Sequence, residues 1–556
     1  MKTIRQLIED FTYEHLERFI SMVAEGAEDT EFRGIRVLDD PERFVYGALV
    51  NTTATLYLHY LEKGDGRAER TLGFLRSFVA SAAKTPLKTW GKLSMLKALA
   101  KLYRAGKMEL LGEEVISVLR VKTDYVDFFD KETMTLKGYP TNYMQVAMAC
   151  AGYRELIGFD TEPFCERIRD RLAQIMASSD SGYMDEDLPH GRFDRYSLIV
   201  SSEFADTMDE VGKAVPVSVL SNLSDAARVC IAMANERGDG INYGRSLSCH
   251  GDAAALEILS SALRLGLVAK EDLDTALLYS IRITEKVLSF WYDEKLGSYN
   301  IWWEGRSTNA YRGQRRVLEV NLDMANHMLC TLANFEKAGL ADTLPSIESL
   351  PCPEDWTAYE VKFSEGAEKV CTTVVLRRKD LLAMLPLIGI GNRYTDSSYQ
   401  PFPAILGVLE AAPEAKYPFF VPEYTDGTDT YRPIEFYDSV QVCEAEGGVT
   451  VEAEGFLAKM GGKTPEKTLM RFKSVYTFFG DEIGAEFTAL GELPRASMLV
   501  GAHEGGLDCT VLGYTSESSV ETENLPEFCT PSGAIREAKL YAFDDPCRIG
   551  YRVKVK

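Results

Sequence analysis

From the start of the chain to about residue 340, apolar residues recur three and four apart, in segments such as "LSMLKALAKLYRAG" and "AAALEILSSALRLGLV". That period gathers them on one face of an α-helix. Gly and Pro fall mostly between the segments. The spacing predicts twelve helices, at about 2–27, 41–62, 67–84, 88–105, 110–121, 141–158, 162–176, 192–208, 217–237, 246–265, 269–290 and 316–338. Twelve helices make six hairpins, and in an up-and-down array all odd-to-even turns lie at one end. The connections after the first, fifth, seventh, ninth and eleventh helices are long, about 28–40, 122–140, 177–191, 238–245 and 291–315, whereas most even-to-odd links need only a few residues. The short turn after the third helix breaks this pattern. Long loops in a compact domain usually carry function, so one end of the array is expected to hold the site.

Near residue 345 the pattern changes. "SIESLPCPEDW" reads as a linker, and beyond it come short alternating runs such as "TTVVLRR", "SVQVCEAEGGVTVEAEGF" and "IGYRVKVK". Many such strands with Gly-rich turns and no helices between them indicate antiparallel sheets, most simply a β-sandwich. The expected class is therefore α+β multidomain: an (α/α)6 helical toroid over 1–343 that carries the chemistry, a linker over 344–358 and a C-terminal antiparallel β-sandwich over 359–556.

Composition narrows the partners. A net charge of −23 repels a polyphosphate backbone, and the short basic runs "LRRKD" and "GQRRVLE" are flanked by acids, so no nucleic acid is expected. The amphipathic N-terminus lacks the apolar core of a secretory signal, and no stretch approaches about 18 uninterrupted apolar residues, which points to no membrane and a cytoplasmic location. The 11 Cys include no CxxC pair, so neither a metal nor a disulfide frame is expected. "PEYTDGTDTYRP" lacks the full ligand series of a calcium loop, and "LIGIGNRYTD" is no dinucleotide fingerprint; no GxSxG or Walker sequence occurs, and no cofactor is expected. A homo-oligomer stays open.

The long-loop end supplies the candidate chemistry: Asn142 and Tyr143; Tyr183, Asp185, His190, Asp194, Arg195 and Tyr196; Tyr243, Arg245, His250 and Asp252; and Trp302, Trp303, Glu304 and Arg306. Aromatic faces stack on pyranose C–H surfaces, amides and carboxylates bond hydroxyls, and Arg grips a carboxylate in a bidentate fork, so a uronic-acid sugar suits this set. Simpler roles compete. Asp194 can cap a helix, His250 can be a packed core histidine, Arg245 can cap helix carbonyls, and adjacent Trp302 and Trp303 must point different ways. His15, His59, His327 and His503 lie outside the cluster and read as structural.

"TNYMQVA", "SGYMDED" leading to "FDRYSLIV", and "YGRSLSCHGDAAA" carry a resemblance. On these motifs the chain resembles the bacterial domain-of-unknown-function 2264 group, which includes β-glucuronidases of glycoside hydrolase family 154, within the broader heparinase- and alginate-lyase-like set. The resemblance covers the helical part. It implies an exo-β-glucuronidase acting on uronic-acid oligosaccharides or glucuronides. Ser248, Cys249 and His250 depart from the aromatic–Arg pair expected at the far side of the Tyr-Gly-Arg-Ser-Leu turn. In the related lyases an Asn neutralises the uronate and a later Tyr moves the proton, and Asn142 and Tyr196 stand at a similar separation.

Two reactions follow. A hydrolase needs two carboxyl groups, with Asp194 favoured for one role and Glu304 or Asp252 for the other, Glu203 being a further acid. A lyase uses Asn142 and Arg245 to stabilise an enolate, with Tyr196 or His190 handling protons. Hydrolysis is the preferred expectation, elimination the alternative, and a sugar-binding protein without chemistry a third. Arg393 and Tyr394 of "NRYTDSSYQ" are candidate contributions from the sandwich.

Overall fold

The computed structural model describes residues 1–39, 44–179, 181–303, 313–366, 369–390, 404–405, 420–462, 464–491, 493, 495–501, 507–513, 519–524, 529–530, 533–534, 537–544 and 547–555. Among these, twelve α-helices occur: α1 (Ile4–Gly26), α2 (Val45–Glu62), α3 (Arg67–Lys84), α4 (Thr89–Arg104), α5 (Glu113–Lys122), α6 (Tyr143–Leu156), α7 (Phe164–Met176), α8 (Arg195–Glu210), α9 (Val217–Ala232), α10 (Cys249–Arg264), α11 (Leu273–Lys286) and α12 (Val317–Lys337). The largest departures from the periodicity are at ends. Met108–Leu111 forms a separate 3₁₀ turn before α5, and α11 passes into a single π-helical stretch over Val287–Trp291.

Each even-numbered helix packs on the next, α2 on α4 and so on to α10 on α12, and α12 returns to α2, closing an inner ring with the odd-numbered helices outside. The sequence encodes the two layers differently. In α7, outside, only Cys165, Ile168, Leu172 and Met176 are buried, a single stripe at helical spacing. In α10, inside, every residue but Arg264 is buried, which is why "AAALEILSSA" is nearly free of charge. A capping box starts the ring: the Thr3 hydroxyl accepts from the Gln6 amide (3.3 Å) while the Gln6 side chain accepts from the Thr3 amide (3.1 Å). Three of the long odd-to-even connections contain miniature antiparallel hairpins, pairing Glu31–Phe32 with Ile35–Arg36, Phe129–Asp130 with Thr135–Leu136, and Tyr292–Asp293 with Ser298–Tyr299.

The strands that follow build two main antiparallel sheets. One orders Ala404–Ile405, Leu381–Leu387, Lys369–Arg378 and Thr357–Gly366; the other has ten strands, with Thr430–Ala445, Gly448–Lys459, Glu466–Phe479 and Glu482–Leu490 at its centre. The smaller sheet is buried on both faces. Val374, Leu376, Ala383 and Leu385 point into the sandwich core, and their neighbours Cys371, Val375, Leu382 and Met384 pack with the toroid. Period-two alternation thus divides one sheet between two cores. At the seam the Gly389 amide donates to the Gly191 carbonyl (2.9 Å), and a Cβ at 389 would lie 1.9 Å from the His190 carbonyl oxygen. Only glycine lets the sandwich approach the 181–192 loop this closely. Among the described residues, no helix is long and apolar enough to cross a membrane.

Candidate active site at the helix N-termini

The first turns of all six inner helices meet at the end where the long connections lie. They line a cavity of about 130 Å³: Phe44 and Ala48 beside and in α2, Trp90 and Ser94 in α4, Asn142 and Tyr143 at α6, Arg195, Tyr196, Ile199 and Glu203 in α8, Arg245 and His250 before and in α10, and Arg316, Glu319, Asp323 and His327 at α12. Each inner helix directs its positive dipole end here, which favours an anionic guest.

The geometry around Tyr196 is the most constrained. Asp194, fully buried, is the N-cap of α8, and its Oδ1 accepts from the Tyr196 amide at 2.8 Å. Gly244, at φ 89°, lies against it; a Cβ there would come within 2.5 Å of the Asp194 Cβ. The Tyr-Gly-Arg turn therefore wraps the capping carboxylate and delivers Arg245 to the phenol. The guanidinium carbons of Arg245 and Arg195 each lie 4.4 Å from the centre of the Tyr196 ring. Arg245 is anchored by an ion pair to buried Glu186, which also holds Arg192 (3.0 Å), and Arg195 donates to the His250 carbonyl (2.8 Å). The Tyr196 hydroxyl is 3.1 Å from Ser246 Oγ. Ser246 and Ser248, at φ 56° and 62°, both adopt left-handed backbone, a cost of about 1–3 kcal/mol each that the packed surroundings sustain.

Asn142 is buried in the same wall, and its amide oxygen has no hydrogen-bond partner among the described residues. A buried amide end of this kind is costly unless a ligand completes it. Deeper, Glu203 faces the interior; desolvation, reinforced by the charge of Glu257, raises its carboxyl to about 7. His327 bonds Glu257 through Nδ1. Although burial alone would lower it, Glu257 and Asp323 hold this imidazole well above its ordinary range.

The cavity thus brings together Asn142, Tyr143, Arg195, Tyr196, Glu203, Arg245 and His250 of the residues singled out from sequence. Others lie elsewhere. Asp252 is 3% exposed, accepts from the Gly240 amide (2.7 Å) and Trp291 Nε1 (2.6 Å) and pairs with Lys286 (2.9 Å), and it does not line the cavity. The Tyr183 ring packs edge-on against Phe363 of the sandwich, and Tyr243 is buried under the turn. His190 sits at the seam, its carbonyl accepting from Lys369. Trp302 is in the core, and Trp303, half-buried, lies under Arg33 (5.0 Å). Glu304, Arg306, Arg393 and Tyr394 fall outside the described residues.

Several lining residues carried no motif. Trp90, Ser94, Arg316, Glu319, Asp323 and His327 belong to the N-terminal halves of α4 and α12 or adjoin them; the signal available was their helical position, since the N-terminal end of every even helix faces the same cavity. His327, read as structural, lines the cavity. Two further cavities, of about 100 and 540 Å³, continue along the toroid axis and share Lys97, Asp206 and Glu210 with each other.

No described protein family matches the chain in sequence, and neither does any curated protein. Among solved structures the chain is similar to the chondroitin AC lyase of Streptomyces coelicolor A3 in complex with chondroitin sulphate, at 12% identity over 99% of this chain and 79% of that one, with a TM-score of 0.53. Heparinase III aligns at 9% identity (98% and 84% covered, TM-score 0.49), and a glycosyl hydrolase family 88 protein from Bacteroides vulgatus at 11% (58% and 99%, TM-score 0.36). At such identities the first of these shows a common fold.

Proposed function

We propose that this chain is a carbohydrate-active enzyme that cleaves uronic-acid oligosaccharides by β-elimination, with the chemistry in the helical part and the domain boundary near 344–358. The observation that carries this reading is the Tyr196 phenol, with two guanidinium groups each 4.4 Å from its ring centre, at the wall of a cavity that Asn142 also lines. Positive charge beside a phenol favours its anion, the form that takes a proton.

In this reading Tyr196 abstracts the proton beside the sugar carboxylate, at C5. Asn142 and Arg245 hold that carboxylate as its negative charge grows. The C4–O bond breaks, the C4=C5 double bond forms, and the departing oxygen takes a proton from the now neutral phenol. Asp194 acts as a positioning residue through the α8 cap and Arg245. The likeness to a chondroitin AC lyase supports a uronate-containing substrate, and the net charge of −23 favours short oligosaccharides over a long polyanion.

Hydrolysis, including the exo-β-glucuronidase activity implied by the family resemblance, is the second reading. It is favoured by Glu203, whose carboxyl near 7 has the protonation a general acid needs. Asp194 and Asp252 do not supply the second carboxyl, because one is a cap and the other is sealed by Lys286 and Trp291; Glu319 and Asp323 line the cavity. Incubation with glucuronides and a panel of uronate oligosaccharides separates the readings. Elimination yields a conjugated enoate absorbing at roughly 235 nm, whereas release of saturated glucuronate without that band assigns hydrolysis.

A further inference from the structure

In the wall of the same cavity, two imidazoles and a carboxylate from two helices converge. Asp323 and His327 are four residues apart on α12 and so share one face. His250, in the first turn of the neighbouring α10, is 1% exposed. Asp323 Oδ2 lies 3.5 Å from His327 Nε2 and 3.7 Å from His250 Nδ1, and one donor atom from each of the three residues falls within 4.8 Å of the others.

We propose that His250, Asp323 and His327 form a binding site for a borderline divalent transition-metal ion such as Zn²⁺, with an open coordination position facing the cavity. Ligand atoms about 2.0–2.1 Å from a tetrahedral zinc stand about 3.3 Å apart; the two spacings to Asp323, 3.5 and 3.7 Å, exceed this by a few tenths of an ångström, and the two imidazoles, within 4.8 Å of each other, close by rotation of their side chains. Two imidazoles with one carboxylate suit zinc and its neighbours rather than calcium or magnesium, which favour all-oxygen shells. A carboxylate also backs one of the imidazoles. Glu257 bonds His327 Nδ1, which leaves Nε2 to face the site, the carboxylate–histidine arrangement that orients a metal ligand. Three protein ligands leave a position for water or an oxyanion. Naming that oxyanion as the substrate carboxylate rests on the proposed uronate substrate; the metal site itself does not.

The test is made without substrate. Chelator-treated protein is titrated with Zn²⁺ by calorimetry, and with Co²⁺ by its visible absorption. We expect one ion per chain, at least about tenfold weaker binding in Asp323→Asn and His327→Gln, and about 10–100-fold weaker binding in Glu257→Gln. Replacing exposed Cys352, Cys443 and Cys547 by Ser should leave affinity unchanged. Absence of stoichiometric binding, or equal affinity in Asp323→Asn and His327→Gln, overturns the proposal. If either variant loses its helical circular dichroism, X-ray absorption of the zinc-loaded wild-type protein decides: two imidazole nitrogens at about 2.0–2.1 Å support the site, and a thiolate shell at about 2.3 Å overturns it. Elimination at roughly 235 nm is measured separately, so a failure of either proposal leaves the other standing.

Discussion

Tyr196→Phe removes one oxygen from a side chain that is otherwise fixed by its neighbours. The ring keeps its contacts with the guanidinium groups of Arg195 and Arg245, and the α8 cap, in which the residue-196 backbone amide donates to the Asp194 carboxylate, is untouched by the substitution. The structural loss is the 3.1 Å contact with the Ser246 hydroxyl, worth about 1 kcal/mol net. The catalytic loss is larger. A positioned acid–base group contributes about 10²–10⁴-fold, or about 2.7–5.4 kcal/mol of barrier. The variant should therefore lose at least two orders of magnitude in kcat/KM, followed at roughly 235 nm on uronate oligosaccharides, while its urea unfolding free energy falls by only about 1 kcal/mol. Retention of kcat/KM within about threefold of wild type removes Tyr196 from the chemistry.

Asp194→Asn keeps a side chain that caps as well as Asp, so activity should stay within about tenfold, whereas Asp194→Ala should cost about 0.5–2 kcal/mol in urea unfolding; a thousandfold activity loss in a folded Asn variant would return Asp194 to the mechanism. Glu203→Gln separates the reactions: a hydrolase using it as general acid should lose at least about a hundredfold in kcat and its decline through pH 7, while elimination by Tyr196 should lose less than about tenfold. His15, buried among Phe19, Tyr292 and Tyr299, is held down at about 3 from an ordinary 6.5, chiefly by burial. The unfolded imidazole takes up a proton below 6.5 that the folded one refuses, so this contribution to stability is full above 6.5 and drains away as pH falls toward 3. By pH 4.5 the loss is about 3 kcal/mol, and in His15→Phe the drop in urea unfolding free energy from pH 7.5 to 4.5 should be smaller by about that amount; an equal drop refutes the assignment. Gly389→Ala should destabilise the protein and raise KM by displacing the 181–192 loop, and unchanged thermal unfolding would contradict the closeness of that seam.

The helices were legible because an outer one such as α7 writes its buried stripe at helical spacing and an inner one such as α10 has a nearly uncharged run, signals that need no partner to be read. The uneven loop lengths also pointed to the end where the inner helices' N-termini line a cavity. Side-chain roles were less accessible. Asp194, Asp252 and Glu203 are all acids near the same end, and only burial separates a cap, a sealed ion pair and a cavity wall. Nothing local in "GDAAA" reveals that Lys286, thirty-four residues on, closes over Asp252. The absence of a CxxC pair argued against a metal, yet His250, Asp323 and His327 meet only because α10 and α12 are neighbours in the ring. The strand Lys369–Arg378 read as an ordinary alternating strand, although both of its faces are covered, one by each part of the chain, because Thr372 and Thr373 interrupt the apolar run that double burial favours.

Ring closure also constrains the order of synthesis. The Arg5 amide donates to the Ala341 carbonyl (3.1 Å), and its side chain pairs with Asp342, so the two edges of the helical array join across more than 330 residues. Until residue 341 has left the ribosome, α2 and α12 have no mutual partner, and the growing chain presents an open arc with apolar flanks.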